Sequence, residues 1–186
     1  RFMNIRSVIL LAAAWLILSA CSSVYSPQPL GGEPLVLDSS WSGTWKVDDG
    51  VLTTAVVDKQ KGLLQIASLE AKTGGIDIET FQAFVKTRGD TVIVNVRDKE
   101  SEHGYHWFVV DKEAGRYALL WGPDAEAFKA AILAGKLPGQ LLNPDDEDSD
   151  DVVLGELEQA HYEMIADPAS GLIDWKDPAV LIRISD

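Results

Sequence analysis

The feature that most limits how this chain can fold is a succession of short β-type segments, each followed by a turn. The breaks fall at Asp48-Asp49-Gly50, Gly74-Gly75 and Arg88-Gly89-Asp90, among others. This spacing is typical of consecutive antiparallel strands joined by tight turns. The predicted strands cover residues 44–47, 51–57, 63–70, 76–86, 91–97, 105–111 and 116–121.

Two of these segments indicate how the sheet curves. In TVIVNVRD the valines at alternate positions share one face, as in a regular strand. In IDIETFQAFV the apolar residues change parity after Ile78, and a β-bulge near Thr80 would return both sets to one core. Because bulges bend sheets, we predict a strongly curved sheet or a barrel.

Helical patterns appear only after these strands. GPDAEAFKAAILAGKLPG has Pro123 and Asp124 at a helix start and Gly135 as a stop, and GELEQAHYEMIADP predicts a second helix that ends before Pro168. PAVLIRIS then predicts a closing strand over residues 179–185. The fold class that we expect is mainly β (α+β), with about seven or eight antiparallel strands and two helices inserted before the last strand.

The N-terminal stretch RFMNIRSVILLAAAWLILSAC has the layout of an export signal. Arg6 precedes an apolar run over residues 8–18, and the small residues Ser19 and Ala20 follow it. The run is shorter than the roughly 20 residues that a membrane-spanning helix needs. Residues 1–20 are therefore predicted to be a signal peptide.

Leu18-Ser19-Ala20-Cys21 resembles the lipobox of bacterial lipoproteins. The resemblance implies cleavage before Cys21, a diacylglycerol on its sulfur and an acylated amino group. Ser22 in place of aspartate implies sorting to the outer membrane, facing the periplasm, in an enteric-type bacterium. The chain as a whole is similar to small lipoproteins of Gram-negative bacteria. The alternative is an ordinary signal peptide with a retained cysteine.

The segment after this cysteine differs in composition from the rest. Residues 22–40 contain three prolines, two glycines and five serines, which favour an extended backbone without a core. We expect residues 21–40 to be a flexible tether, with a short strand at 35–37, and residues 41–186 to be one β-rich domain. Cys21 is the only cysteine, so we expect no disulfide in this domain.

The charge balance limits the partners of the chain. It contains 16 basic and 29 acidic residues, for a net charge of -13, and removal of residues 1–20 would take away two arginines and no acid. Binding to nucleic acid depends on lysines and arginines that neutralise phosphates. We therefore expect no nucleic-acid partner, and a contact with membrane through the lipid anchor rather than through anionic head groups.

Gly43-Thr44-Trp45 resembles the Gly-x-Trp signature of lipocalins. The resemblance implies an eight-stranded barrel whose closed end is plugged by the tryptophan, with a basic residue of a late strand lying across it. Arg183 is the candidate for that basic residue, although Ile182 and Ile184 in the core would turn it away. The other interpretation treats Trp41 and Trp45 as ordinary core residues of a sheet.

No metal site is predicted from the sequence. The acidic run 145–151 has Asp150 where a calcium loop needs glycine, and we interpret it as a solvated loop, with weak divalent-cation binding as the alternative. His103 and His106 are three residues apart and would point to opposite faces of a strand. His161 falls on the apolar side of the second helix, where we expect a packed, hydrogen-bonded imidazole.

No catalytic residue set and no cofactor is predicted either. The motifs of serine hydrolases, zinc proteases and nucleotide-binding proteins are absent from the sequence. Asp77 and Glu79 share a strand face, as a pair of glycosidase carboxylates could. The function that we expect is a non-enzymatic envelope lipoprotein that binds or braces another envelope component.

Two alternatives remain open. One is a lipocalin-like carrier of a small apolar ligand, which requires a cavity of about 300 Å³ or more that Trp107, Phe108 and Trp121 do not fill. The other is a hydrolase of envelope polymers. The candidate partners are thus the membrane, an envelope protein and a small apolar ligand.

Overall fold

The computed structural model describes residues 23–47, 50–72, 75–97, 102–113, 116–146 and 149–185. Within these ranges the strands, in chain order, are β1 (Val24–Tyr25), β2 (Gly43–Val47), β3 (Gly50–Asp58), β4 (Leu63–Lys72), β5 (Gly75–Arg88), β6 (Thr91–Arg97), β7 (Tyr105–Glu113), β8 (Tyr117–Trp121), β9 (Gly139–Leu141), β10 (Val152–Leu154) and β11 (Ala179–Ser185). Strands β2 to β8 follow one another around a closed barrel, and β11 completes it between β8 and β2. All eight barrel strands pair antiparallel. The predicted fold class is confirmed.

Two strands of a smaller sheet, β9 and β10, and the two helices lie between β8 and β11 in the chain. In this sheet β10 pairs in parallel with β1 and antiparallel with β9. Helix α1 covers Ala125–Leu133 and begins where the sequence predicts, because the Asp124 carboxylate accepts a hydrogen bond from the Ala127 amide. Helix α2 covers Gln159–Ala166. None of the helices in the described ranges has the length and apolar character needed to cross a bilayer.

The apolar residues form two cores on opposite sides of the barrel wall. One lines the barrel interior and includes Trp45, and the other lies between the outer wall and the two helices. Trp107 belongs to the outer core, where it is only 1% exposed and packs edge-on against Phe128. Strands β6 and β7 are therefore covered on both faces, which explains why apolar residues occur at consecutive positions in each of them, over 92–94 and 107–110.

The bulge predicted near Thr80 is wrong. Strands β4 and β5 pair without a register shift from Leu63 opposite Phe84 to Lys72 opposite Gly75. Without a bulge, alternate residues of β5 keep the same side along the whole strand. Ile76 and Ile78 therefore face outward, and they are 67% and 59% exposed. Register shifts occur instead in β3 and in β11.

Residues 23–40, expected to belong to a flexible tether, lie against the barrel. Val24, Leu30 and Leu37 are buried, and Leu37 is 0% exposed. The side chain of Asn95 accepts a hydrogen bond from the Leu30 amide (2.6 Å) and donates one to the Leu30 carbonyl (3.0 Å). These contacts hold a segment whose proline and glycine content alone favours mobility. The tether prediction is corrected for these residues, whereas residues 1–20 and Cys21 lie outside the described ranges.

The strand predicted at residues 35–37 is replaced by isolated backbone contacts. The Leu35 amide donates to the Val85 carbonyl and the Leu37 amide donates to the Lys59 carbonyl, each at 3.0 Å. A 3₁₀-helix over Ser39–Trp41 follows and leads directly into β2.

Candidate ligand cavity of the barrel

The barrel encloses a cavity of about 130 Å³. Side chains from all eight barrel strands line it, and nearly all of them are apolar. The lining residues include Val47, Leu52, Ile66, Phe81, Val96, Phe108, Leu120 and Leu181. The polar side chains among them are Thr54, Ser68 and Lys112, and the part of the chain that the structure describes contributes no carboxylate to this lining. The arrangement suits an apolar ligand.

A chain of hydrogen bonds closes one end of this cavity. Trp45 is buried there, and its indole N–H donates to the Thr54 hydroxyl at 2.9 Å. The same hydroxyl donates to the carbonyl oxygen of Trp41 at 2.7 Å. Trp41 belongs to the 3₁₀-helix, so these two bonds fix that helix beneath the barrel.

Arg183 lies across Trp45, as the Gly-x-Trp resemblance implies for a late basic residue. The two residues pair across β11 and β2, and the guanidinium carbon is 5.6 Å from the indole ring centroid. The Nη2 atom of Arg183 donates to the carbonyl oxygen of Ser42 at 2.6 Å. Ile182 and Ile184 are 52% and 57% exposed, so the alternation that placed them in the core is wrong. The outer side of β11 is left uncovered here, and Arg183 takes the inward parity.

Gly43 allows the Arg183 side chain to lie close to the backbone of β2. Its φ of +151° lies in a region that favours glycine, and a Cβ at this position would be 2.8 Å from the Arg183 Nε atom. The glycine of the motif is thus required both by backbone conformation and by the space that the guanidinium occupies.

Lys112 is a second cationic side chain at this end of the cavity, beside Arg183. Its ammonium group donates to the Ser40 hydroxyl and lies 4.9 Å from the Trp41 ring centroid. Burial lowers the pKa of Lys112 below the ordinary 10.5, and the Asp38 carboxylate opposes this in part. Hydrogen bonds from the Ser40 hydroxyl and amide lower the pKa of Asp38 in turn.

The sequence analysis did not single out Lys112. A signal for it was present, because Phe108, Val110 and Lys112 alternate along β7 and all three line the cavity. Of the aromatic residues that it did single out, Phe108 lines the cavity, whereas Trp107 and Trp121 pack outside the barrel. The rings of Trp107 and Trp121 therefore do not fill the barrel cavity. Its volume is nevertheless smaller than the about 300 Å³ that the carrier hypothesis requires.

Two contacts hold the C-terminal end of the acidic run. Lys129 makes an ion pair with Asp150 at 2.9 Å, and the Ser23 amide donates to Asp151 at 2.6 Å. Asp145 and Asp146 are exposed. No group of three or more potential metal ligands occurs in the described ranges.

Two of the three histidines share an aromatic neighbour, and the third lies on α2. His103 and His106, expected on opposite faces, both contact the Tyr25 ring, at centroid distances of 5.5 and 4.6 Å. The N-terminal segment brings that ring between them, which strand alternation could not predict. His161 accepts a hydrogen bond from the Glu158 amide through Nδ1 at 2.9 Å and so helps to begin α2, as expected of a hydrogen-bonded imidazole.

The carboxylate pair lies on β5 of the barrel wall. Asp77 and Glu79 stand on one face of β5, opposite Glu70 and Ser68 of β4. Neither carboxylate contributes to the lining of the barrel interior. The structure does not bring this pair to the described cavity.

No protein-family model, curated protein or solved structure matches the chain. The class of protein is therefore defined by its own fold and site, which are a closed eight-stranded antiparallel barrel with an apolar interior cavity. One end of that cavity is plugged by Trp45 beneath Arg183.

Proposed function

We propose that the protein is a non-enzymatic lipoprotein of the bacterial cell envelope whose barrel binds a small apolar ligand. The observation that carries the binding role is the interior cavity, lined by apolar side chains from every barrel strand. Transfer of apolar ligand surface from water into such a lining contributes about 25 cal/mol per Å². The envelope address is supported by the resemblance of Leu18-Ser19-Ala20-Cys21 to a lipobox.

The size of the cavity limits the ligand. Its volume of about 130 Å³ is well below that of a site for drug-sized molecules. It is close to an engineered apolar cavity of about 150 Å³ that accepts benzene. The proposed ligand is therefore a single aromatic ring or the end of a slender alkyl chain, and a larger one requires side chains of the lining to move.

Titration of the predicted mature chain, residues 21–186 carrying Cys21→Ser, with toluene and with hexan-1-ol tests this proposal. The substitution removes the acylation site, so no detergent is needed that would compete for the cavity. Val96→Phe places a larger side chain into the cavity, and Arg97→Phe adds the same ring to the exposed side of β6. Ala118→Leu fills the cavity from a second strand.

We expect saturable binding that both Val96→Phe and Ala118→Leu abolish and that Arg97→Phe retains. Amide spectra of each variant establish that the barrel is folded. Absence of saturable binding to the parent chain, or binding unchanged in both cavity-filling variants, would contradict the role of the cavity.

An envelope protein as partner is a second candidate, because one outer strand face is exposed and apolar. Val180, Ile182 and Ile184 stand on the outer side of β11, each more than two fifths exposed. Exposed apolar surface of this kind often marks a contact site. Replacement of Ile182 and Ile184 by serine should leave ligand binding intact and reduce cross-linking to envelope proteins in cells. Unchanged cross-linking would remove this candidate.

A further inference from the structure

A second cavity adjoins the barrel interior beside the 3₁₀-helix. Its volume is about 450 Å³, compared with about 130 Å³ for the interior. We call it the outer cavity, because Val109 and Trp121 of the outer wall line it. Trp41, Val110 and Lys112 line both spaces. The two cavities therefore share part of a wall, and that wall limits how far a ligand of the barrel can extend.

Strand β7 forms one part of the shared wall. Val110 and Lys112 line the barrel interior, whereas Val109 and Asp111 alternate with them and line the outer cavity. The ladder between β6 and β7 ends at Val92 opposite Val110. Lys112 follows beyond this last pair. Its side chain, and not a pair of bonded strands, therefore divides the two spaces at this point.

The side chain of Lys112 joins apolar to polar surroundings. Its ammonium group donates to the Ser40 hydroxyl and lies 4.9 Å from the Trp41 ring centroid. Ser40 and Asp38 line the outer cavity and do not belong to the lining of the interior. Lysine commonly lays its aliphatic stem along an apolar surface while its ammonium group reaches polar surroundings. The stem is therefore placed towards the barrel interior and the ammonium group towards the outer cavity.

Trp41 provides the other half of this division. Its ring contacts the ammonium group of Lys112, and its carbonyl oxygen accepts a hydrogen bond from the Thr54 hydroxyl at 2.7 Å. The indole N–H of Trp45 donates to the same hydroxyl. Trp41 is thus tied to the closed end of the barrel, whereas Lys112 is held at its tip by Ser40. Truncation of Lys112 opens the wall with less disturbance of the core than truncation of Trp41.

We propose that Lys112 determines the length of the ligand that the barrel accepts, because its stem closes the interior against the outer cavity. The inference rests on the apolar ligand of the proposed function and names the residue that limits its size. With Lys112 in place, a slender chain has about 130 Å³ of space. Without the stem, the two spaces join, and the chain continues towards Val109 and Trp121.

Titration with hexan-1-ol and with decan-1-ol tests the proposal, and the ratio of the two affinities is the measured quantity. The protein is the predicted mature chain, residues 21–186 carrying Cys21→Ser. Each further methylene group that is buried favours binding by roughly fourfold. In this parent chain decan-1-ol should bind no more tightly than hexan-1-ol, since its additional methylene groups find no enclosed space. In Lys112→Ala it should bind at least about tenfold more tightly than hexan-1-ol.

Three further variants separate the stem from other effects. Lys112→Ser also removes the stem and should raise the affinity ratio as Lys112→Ala does. Lys112→Met removes the charge but keeps an apolar chain of nearly the same length, so it should restore the ratio of the parent. Lys46→Ala removes an exposed lysine of β2 and is the matched control, whose ratio should equal that of the parent. Amide spectra of each variant establish that the barrel is folded.

Two results would overturn the role of Lys112 while leaving the proposed function intact. One is an unchanged affinity ratio in both Lys112→Ala and Lys112→Ser, with saturable binding of hexan-1-ol. The other is an equal rise of the ratio in Lys112→Met, which would assign the effect to the charge and not to the stem. Absence of hexan-1-ol binding to the parent would contradict the proposed function itself, and this inference with it.

Discussion

The guanidinium group of Arg183 lies over the indole ring of Trp45, at 5.6 Å from the ring centroid. The same side chain donates to the carbonyl oxygen of Ser42, just before the first barrel strand. Arg183 stands on the last barrel strand and Trp45 on the first. One side chain therefore connects the two ends of the sequence that must meet for the barrel to close.

Replacement of this arginine should weaken the closure. Arg183→Met keeps the aliphatic stem and removes the cation–π contact and the charged hydrogen bond, so we expect the free energy of unfolding to fall by about 2 kcal/mol. Urea denaturation measures the difference. Arg97→Met, at an exposed position of β6, is the control and should change stability by less than about 0.5 kcal/mol. Equal effects of the two variants would contradict a special role for Arg183.

Gly43 should not tolerate a side chain. Gly43→Ala forces a Cβ to within 2.8 Å of the Arg183 Nε atom and 2.9 Å of the Ser185 carbonyl oxygen, at a φ that other residues rarely adopt. We expect a loss of about 1–3 kcal/mol in the free energy of unfolding. Gly75→Ala is the matched control, because its Cβ would meet nothing within 4 Å. A variant at Gly43 as stable as the control would refute the steric argument.

Asn95 should control the attachment of the N-terminal segment. Its fully buried amide bonds to both backbone groups of Leu30 and to the carbonyl of Phe84. Asn95→Ala leaves these groups without that partner, and we expect a loss of about 2–4 kcal/mol. Hydrogen exchange at the Leu30 amide should accelerate more than exchange in β3. Asn143→Ala, at an exposed position, should leave both rates unchanged, and slow exchange at Leu30 in the Asn95 variant would contradict the role of this side chain.

Lys112 should make stability depend on alkaline pH. Burial lowers its pKa in the folded state below the unfolded value near 10.5. Between these two values the unfolded chain binds more protons, so this residue contributes a rise in the free energy of unfolding with pH. Below the folded pKa both states are protonated and the contribution is flat.

The measurement compares the parent with Lys112→Met by urea denaturation across that window. The stability of the parent relative to the variant should increase as the pH approaches 10.5. Lys46→Met, an exposed lysine on β2, controls for the loss of one positive charge. A parent-to-variant difference that is constant or decreases over the window would show that burial of Lys112 does not penalise its charge.

Cys21 should determine attachment to the membrane. The lipobox predicts that mass spectrometry of the chain from its native host will find a diacylglycerol on the sulfur and an acylated amino group. In a chain whose residues 1–20 are replaced by an ordinary cleavable signal peptide, Cys21→Ser should move the protein from the membrane fraction to the soluble fraction, because the processed chain then carries no acyl chain to anchor it. Ser22→Ala is the matched control and should stay with the membrane. An unmodified Cys21 with residues 1–20 still attached would refute the anchor.

Local patterns in the sequence predicted the strands and helices well. The closing strand agrees with the prediction at both ends, and α1 begins after Asp124 as its capping pattern indicates. Which face of a strand is buried was harder to predict, because it depends on what covers the outside. In β6, Ile93 and Asn95 belong to the outward face, yet both are buried under other parts of the fold. In β11 the outward face has no such cover, so Arg183 and not Ile182 turns inward.

The candidate sites were less predictable than the fold. The Gly43-Thr44-Trp45 motif correctly pointed to Arg183 as the residue that lies across the tryptophan. The fold brings together the rings of Trp121 and Trp175, which are separated in the chain by both helices and by strands β9 and β10. No local periodicity relates such residues. Composition also failed to predict that residues 23–40 pack against the barrel. The buried side chain of Asn95 holds this segment by hydrogen bonds to Leu30, despite its proline and glycine content.

The packing of the N-terminal segment limits how far an acylated Cys21 could hold the barrel from a bilayer. Val24 is already buried in the small sheet, and only three residue steps separate it from Cys21. Fully extended, three residues reach at most about 11 Å. The protein would therefore rest on the lipid head groups in a restricted orientation, with the edge that carries Ser23 and Asp151 turned towards them.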